Sequence, residues 1–185
     1  MNVTENRMPG PTLETERLLL RPPHIADLDA WSEMMADEET ARFVGGVMPR
    51  PMVFRVMATI TGHWALLGYG MFSVIEKSSG RWIGRLGPWN PEGWPGPEIG
   101  WGLSRHAWGK GYATEGAGAA LDWAFDQLGW TEVIHCVDPR NTGSIAVARR
   151  LGSTRRGTGR LPAPFGAEVE IYGQSREAWQ SRQSA

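Results

Sequence analysis

The stretch HAWGKGYATEGAG at 106–118 sets Gly109 and Gly111 against the start of a helical pattern. The first N–H groups of a helix lack intrahelical partners and carry a partial positive charge, and glycine lets the backbone come close to phosphate oxygens. The stretch is therefore either a phosphate cradle or a tight turn whose glycines are needed only sterically. Just upstream, PEIGWGLS at 97–104 alternates cleanly, with Glu98, Gly100, Gly102 and Ser104 on one strand face and Ile99, Trp101 and Leu103 on the other. A face with two glycines packs poorly but admits a ligand or a second backbone. A carboxylate on that face can act as a general base, orient a water, or pair with an arginine.

The familiar nucleotide loops fail on particulars. A nucleoside triphosphate loop needs Lys followed by Ser or Thr, and here Lys110 is followed by Gly111. A dinucleotide turn needs a third Gly or Ala where Thr114 stands, which counts against a nicotinamide-dependent oxidoreductase. His24, His63, His106 and His135 form no ligand spacing with the single cysteine, Cys136, so neither a metal nor a disulfide is expected. With 185 residues, 41% hydrophobic and 21% charged, and a net charge of −1, the chain reads as a globular protein that binds neither nucleic acid nor membrane. It shows no secretory signal and no apolar run long enough to cross a bilayer, so a cytoplasmic location is the default expectation.

The elements that must position these residues follow from periodicity. Residues 1–13 are expected to be a flexible tail, followed by one domain over 14–185. Strands are predicted at 16–22, 69–76, 81–87, 97–104 and 131–139, with a closing pair at 153–161 and 167–174 joined by PAPFG. Helices are predicted at 24–35, 50–67, 112–128 and 141–151, with a short terminal helix capped by Ser175. The segment 87–97, dense in Pro and Gly, reads as a loop that walls a cleft with Trp89 and Trp94. The order gives an α+β or mixed α/β fold, with the glycine stretch at a strand-to-helix junction.

WGKGYATE at 108–115, with EIGW at 98–101 before it and NTGSIAVARRLG at 141–152 after it, resembles the GNAT superfamily of acyl-CoA N-acyltransferases. TERLLLRP near the start and YGQSREAW near the end extend the resemblance over about residues 14–180 and point to the RimJ/RimL-type branch, which resembles ribosomal-protein N-acetyltransferases. The phosphate motif of the family, [QR]-x-x-G-x-[GA], matches Gly111 and Ala113, with Trp108 at its first position. The resemblance implies a mostly antiparallel twisted sheet of about six to seven strands, splayed in the middle and flanked by helices. It implies acetyl-CoA as cosubstrate, with the backbone N–H groups of Gly109, Lys110, Gly111, Tyr112, Ala113 and Thr114 on the pyrophosphate. The pantetheine arm would run beside Trp101 and Leu103, between the strands at 97–104 and 131–137.

Acetyl transfer to an amine needs the nucleophile neutral, so a base is required for an amine that is protonated at neutral pH. The resemblance favours Glu98 for this role, directly or through water. It implies that Asn141 contacts coenzyme A and that Ser144 protonates the leaving thiolate; Asn141 also reads as the N-cap of its helix. Other members carry a tyrosine acid where this chain has Ala148, which shifts that role to Ser144, Tyr172 or water. Arg105, Arg149 and Arg150 either meet the 3′-phosphate of coenzyme A, Arg149 foremost, or form a solvated helix face. The expected partner is an amine acceptor, a small molecule or a protein N-terminus, and oligomeric state is left open, a homodimer included. The alternative reading is a regulatory protein of the same fold that holds an acyl-CoA without turning it over.

Overall fold

A computed structural model describes residues 10–163 and 165–183. Its sheet has eight strands in the order β1-β2-β3-β4-β5-β6-β8-β7. The strands are β1 (Leu13–Glu14), β2 (Leu18–Arg21), β3 (Phe72–Glu76), β4 (Arg81–Trp89), β5 (Glu98–Leu103), β6 (Glu132–Val137), β7 (Thr154–Arg160) and β8 (Glu168–Ser175). The helices are α1 (Leu28–Ala36), α2 (Glu38–Ala41), α3 (Arg50–Leu67), α4 (Tyr112–Asp126), α5 (Thr142–Arg150) and α6 (Arg176–Gln183). Every pairing is antiparallel except that of β5 with β6.

The architecture is the expected α+β one, with two short additions. Leu13 and Glu14 pair with Leu20 and Leu19, so the chain enters the sheet inside the expected tail, whose residues 1–9 lie outside the described residues. Asp37 caps α2 by accepting from the Thr40 N–H at 3.2 Å, a four-residue helix too short to show a hydrophobic period. The expected turn at 162–166 includes residue 164, which lies outside the described residues.

Two features of β4 prepare the site. Its register against β3 shifts between Val74 and Ile75, a bulge that turns Trp82 to the α1 side, where it stacks on Trp31 at 5.6 Å and donates to Ser73. Beyond the bulge, Arg85 pairs with Gly102, Gly87 with Gly100 and Trp89 with Glu98. The strand thus runs two residues past its expected end at 87 and into the expected loop, because Trp89 stacks on His63 at 4.7 Å.

On the other face, α4 packs across β4 and β5. A Cβ on Gly116 would lie 2.6 Å from Leu86 and 3.3 Å from Leu18, so this glycine lets helix and sheet meet. Ala117, Ala120, Leu121, Ala124 and Phe125 are buried, as the 3.6-residue stripe requires. The face bearing Gly100 and Gly102 is instead approached by Met71, Met34 and Val44. Asp27 ties this layer down by accepting from both Arg21 Nη atoms at 2.8 and 2.6 Å and from Ser73 Oγ at 2.6 Å.

Candidate active site

The parallel pair β5 and β6 meets at one rung, Glu98 opposite Ile134, where the Ile134 N–H donates to Pro97 O at 2.8 Å. Past that rung the strands part and side chains bridge them. The Cys136 N–H donates to Glu98 Oε1 at 3.0 Å. His135 Nδ1–H donates to Ile99 O at 2.7 Å, which fixes the tautomer and leaves Nε2 to accept from Ser153 Oγ at 2.9 Å. Trp101 lies 4.9 Å from the His135 ring, and its Nε1–H donates to Ser144 Oγ at 3.2 Å.

Glu98 is 6% exposed, and its second oxygen accepts from Trp94 Nε1 at 2.5 Å. Burial raises its pKa to about 7, against the opposing pull of the Cys136 and Trp94 hydrogen bonds and the Arg85 charge. A carboxyl so placed is half ionised at neutral pH and can exchange a proton. Burial, and then the Glu98 carboxylate, push the Cys136 thiol upward, so the thiol stays protonated and is a poor nucleophile. His135 is lowered to about 4, chiefly by burial, and is neutral.

The glycine stretch forms the N-terminus of α4. Gly111 is the N-cap at φ +81° and Gly109 stands at φ +72°, left-handed geometry that L side chains adopt only with strain. The Glu115 N–H to Gly111 O bond, 3.0 Å, is the first of the helix, so the N–H groups of Tyr112, Ala113 and Thr114 precede the ladder. Nothing lies within 4 Å of a Cβ built on Gly109, so an anion can reach this backbone. Arg17 braces the turn, donating from Nη1 to Lys110 O at 2.9 Å and from Nε to Glu115 Oε2 at 2.6 Å. These residues fit a pyrophosphate.

The remaining sequence-derived candidates divide. Asn141 caps α5 by accepting from the Ser144 N–H at 3.0 Å, which sets Ser144 beside Trp101. The Tyr112 side chain is buried and donates to Glu76 at 2.7 Å, while its backbone N–H is one of those that precede the α4 ladder. Leu103 is in the core, and its carbonyl accepts from Trp108 Nε1 at 2.7 Å; the Trp108 ring is half exposed. Arg149 lies in the exposed last turn of α5, within electrostatic reach of Glu170. Arg105 is held by Asp37. Tyr172 packs beside Ala148 and donates to Glu170 at 3.1 Å. Among the described residues, no cluster of three His, Cys, Asp or Glu could hold a metal, and no helix is long and apolar enough to cross a membrane.

Sequence reasoning missed Arg85, although a lone cation between Ile83 and Gly87 in an apolar strand was a usable signal. It also missed the Cys136 N–H, which no side-chain pattern could reveal.

The sequence matches the family described as Acetyltransferase (GNAT) domain over residues 17–154, and the chain belongs to that family. An acetyltransferase from Agrobacterium tumefaciens str. C58 is 34% identical, covers 90% of this chain and 95% of its own, and superposes with a TM-score of 0.79. A GNAT-family acetyltransferase from Bacillus anthracis is 25% identical, with 90% and 99% covered and a TM-score of 0.76. The ribosomal-protein-S5-alanine acetyltransferase from Vibrio fischeri shares the fold at 15% identity, with 91% and 98% covered and a TM-score of 0.72. The protein is an acyltransferase.

Proposed function

We propose that the chain is one acetyltransferase domain over 14–185, of the RimJ/RimL type, that moves an acetyl group from acetyl-CoA to a primary amine by direct attack in a ternary complex. The observation that carries this reading is Glu98, buried where β5 and β6 part and poised near pH 7. Acetyl-CoA supplies the activated acetyl group. The N–H groups of 109–114 hold its pyrophosphate, with Trp108 beside them, and Trp101 and Leu103 line the parting of the strands. Asn141 and Arg149 complete the set on α5.

Glu98 takes the proton from the ammonium form of the acceptor, directly or through a water, and so frees the lone pair that attacks. Ser144 Oγ accepts from Trp101, which leaves its own hydrogen free to protonate the departing thiolate while the oxygen takes up the proton shed by the newly acylated nitrogen. That thiolate is a tolerable leaving group, with a thiol pKa near ~8.5, so a weak acid suffices. Trp89 and Trp94, in edge-to-face contact at 6.3 Å, wall the acceptor side.

The test is a thermal-shift titration with acetyl-CoA, coenzyme A and NADH. A ligand at about 100 times its Kd adds roughly 2.7 kcal/mol, or roughly 5–10 °C for a chain of this size. Both coenzyme A forms are expected to raise the midpoint and NADH is not. No shift with either coenzyme A form would overturn the proposal.

A further inference from the structure

Arg85 leaves β4 on the face it shares with Gly87, Gly100, Gly102 and Glu98. Its guanidinium lies 5.8 Å from the Trp31 ring centroid and touches Met71 Sδ, and Met71 Cε in turn would sit 2.9 Å from a Cβ on Gly100. The side chain therefore runs along the glycine floor toward Glu98. Its Nε is buried and makes no hydrogen bond. Among the described residues no carboxylate lies within ion-pair distance of it, whereas Arg17, Arg21, Arg105, Arg140 and Arg155 each have one. Among the described residues Glu98 is the one acid whose charge reaches it, and both Glu98 oxygens already accept hydrogen bonds.

A cation left without a counter-ion in a low-dielectric site is costly, and the usual remedy is a partner carboxylate. Here the described residues supply none, while the floor between Arg85 and Glu98 is made of residues without side chains. Resting on the acetyltransferase reading above, we propose that Arg85 sets acceptor specificity: it pairs with a carboxylate carried by the amine whose nitrogen Glu98 deprotonates. The substrate class is then the free amino acid or another small carboxylated amine. A protein N-terminus fits less well, since the carboxyl of its first residue is tied up in a peptide bond. A single guanidinium between an indole and a thioether suits a planar monoanion, which it can meet with two parallel N–H bonds.

The experiment measures kcat/KM with saturating acetyl-CoA for matched pairs: alanine and alaninamide, methionine and methioninamide, tryptophan and tryptophanamide. It is run on wild type, Arg85→Met and Arg85→Lys, with the coenzyme A thermal shift as a check that each variant is folded. Comparing free acid to amide within each protein, and then between proteins, cancels both the lower amine pKa of the amides and any effect of Arg85 on Glu98. Arg85→Met is expected to reduce the preference for the free acid by roughly 10- to 100-fold, mainly through KM, with Arg85→Lys in between. Equal losses for both members of each pair would overturn the proposal. So would wild-type protein that binds coenzyme A yet prefers the amides or uses neither member. A wild-type midpoint that ignores coenzyme A would instead overturn the function on which the inference rests.

Discussion

Glu98 is pulled in opposite directions by its surroundings. Desolvation favours the neutral acid, while Cys136 N–H, Trp94 Nε1 and the Arg85 charge favour the carboxylate, and the balance falls at about 7. With Glu98 as the proposed base, activity should climb with pH through about 7, because a base works only when ionised. Glu98→Gln is expected to lower kcat by roughly 10²- to 10⁴-fold and to abolish that limb, which a pH–rate profile of acetyl transfer will show. Trp94→Phe removes a donor to the ionised form, so the limb should move to higher pH with the protein still active; a limb that stays in place would remove Trp94 from the control of Glu98. Glu98 was legible in the sequence because strict alternation put it among glycines. Its burial, and hence its pKa, was not, since both depend on Trp94 and Cys136, which arrive from a loop and another strand.

At the scale of elements, two helix N-termini frame the site, and each has its own test. Gly111 is held at φ +81° and a Cβ there would stand 3.4 Å from Arg17 Nη2, so Gly111→Val combines about 1–2 kcal/mol of strain with a barrier over the first N–H groups of α4. Coenzyme A affinity should fall at least tenfold in calorimetric titration. Gly109→Ala, strained alike but opening onto free space, should lose stability and less affinity. Asn141→Ala removes the cap of α5 and should cost about 1 kcal/mol in urea denaturation. Both helix starts were readable as Gly and Asn before an apolar stripe. The sheet order was not: β8 lies between β6 and β7, a placement that local periodicity does not encode. The end of β4 was misplaced because Gly87 and Pro88 signal a turn, whereas Trp89 is kept in the sheet by His63 on α3.

For the molecule as a whole, the parting of β5 and β6 buries two titratable groups whose contributions to stability oppose each other. Glu98 is raised from 4.5 to about 7, so between those values the folded state binds more protons than the unfolded one, and stability from this group falls as pH rises. His135 is lowered from 6.5 to about 4, so the unfolded state binds more protons in that interval, and stability from this group rises with pH. At 1.36 kcal/mol per unit each amounts to about 3 kcal/mol over its window, and the windows overlap from about 4.5 to 6.5. The two contributions should then nearly cancel between pH 5 and 7, a range above the titration of the ion-paired carboxylates Asp37, Glu115 and Asp138, whose pKa values are lowered. Removing one partner exposes the other. Unfolding free energies of Glu98→Gln from urea denaturation should rise by about 2 kcal/mol from pH 5 to 7, and those of His135→Asn should fall by a similar amount, whatever constant loss each substitution adds. Parallel pH profiles for wild type and both variants would mean that neither group is buried as the structure has it.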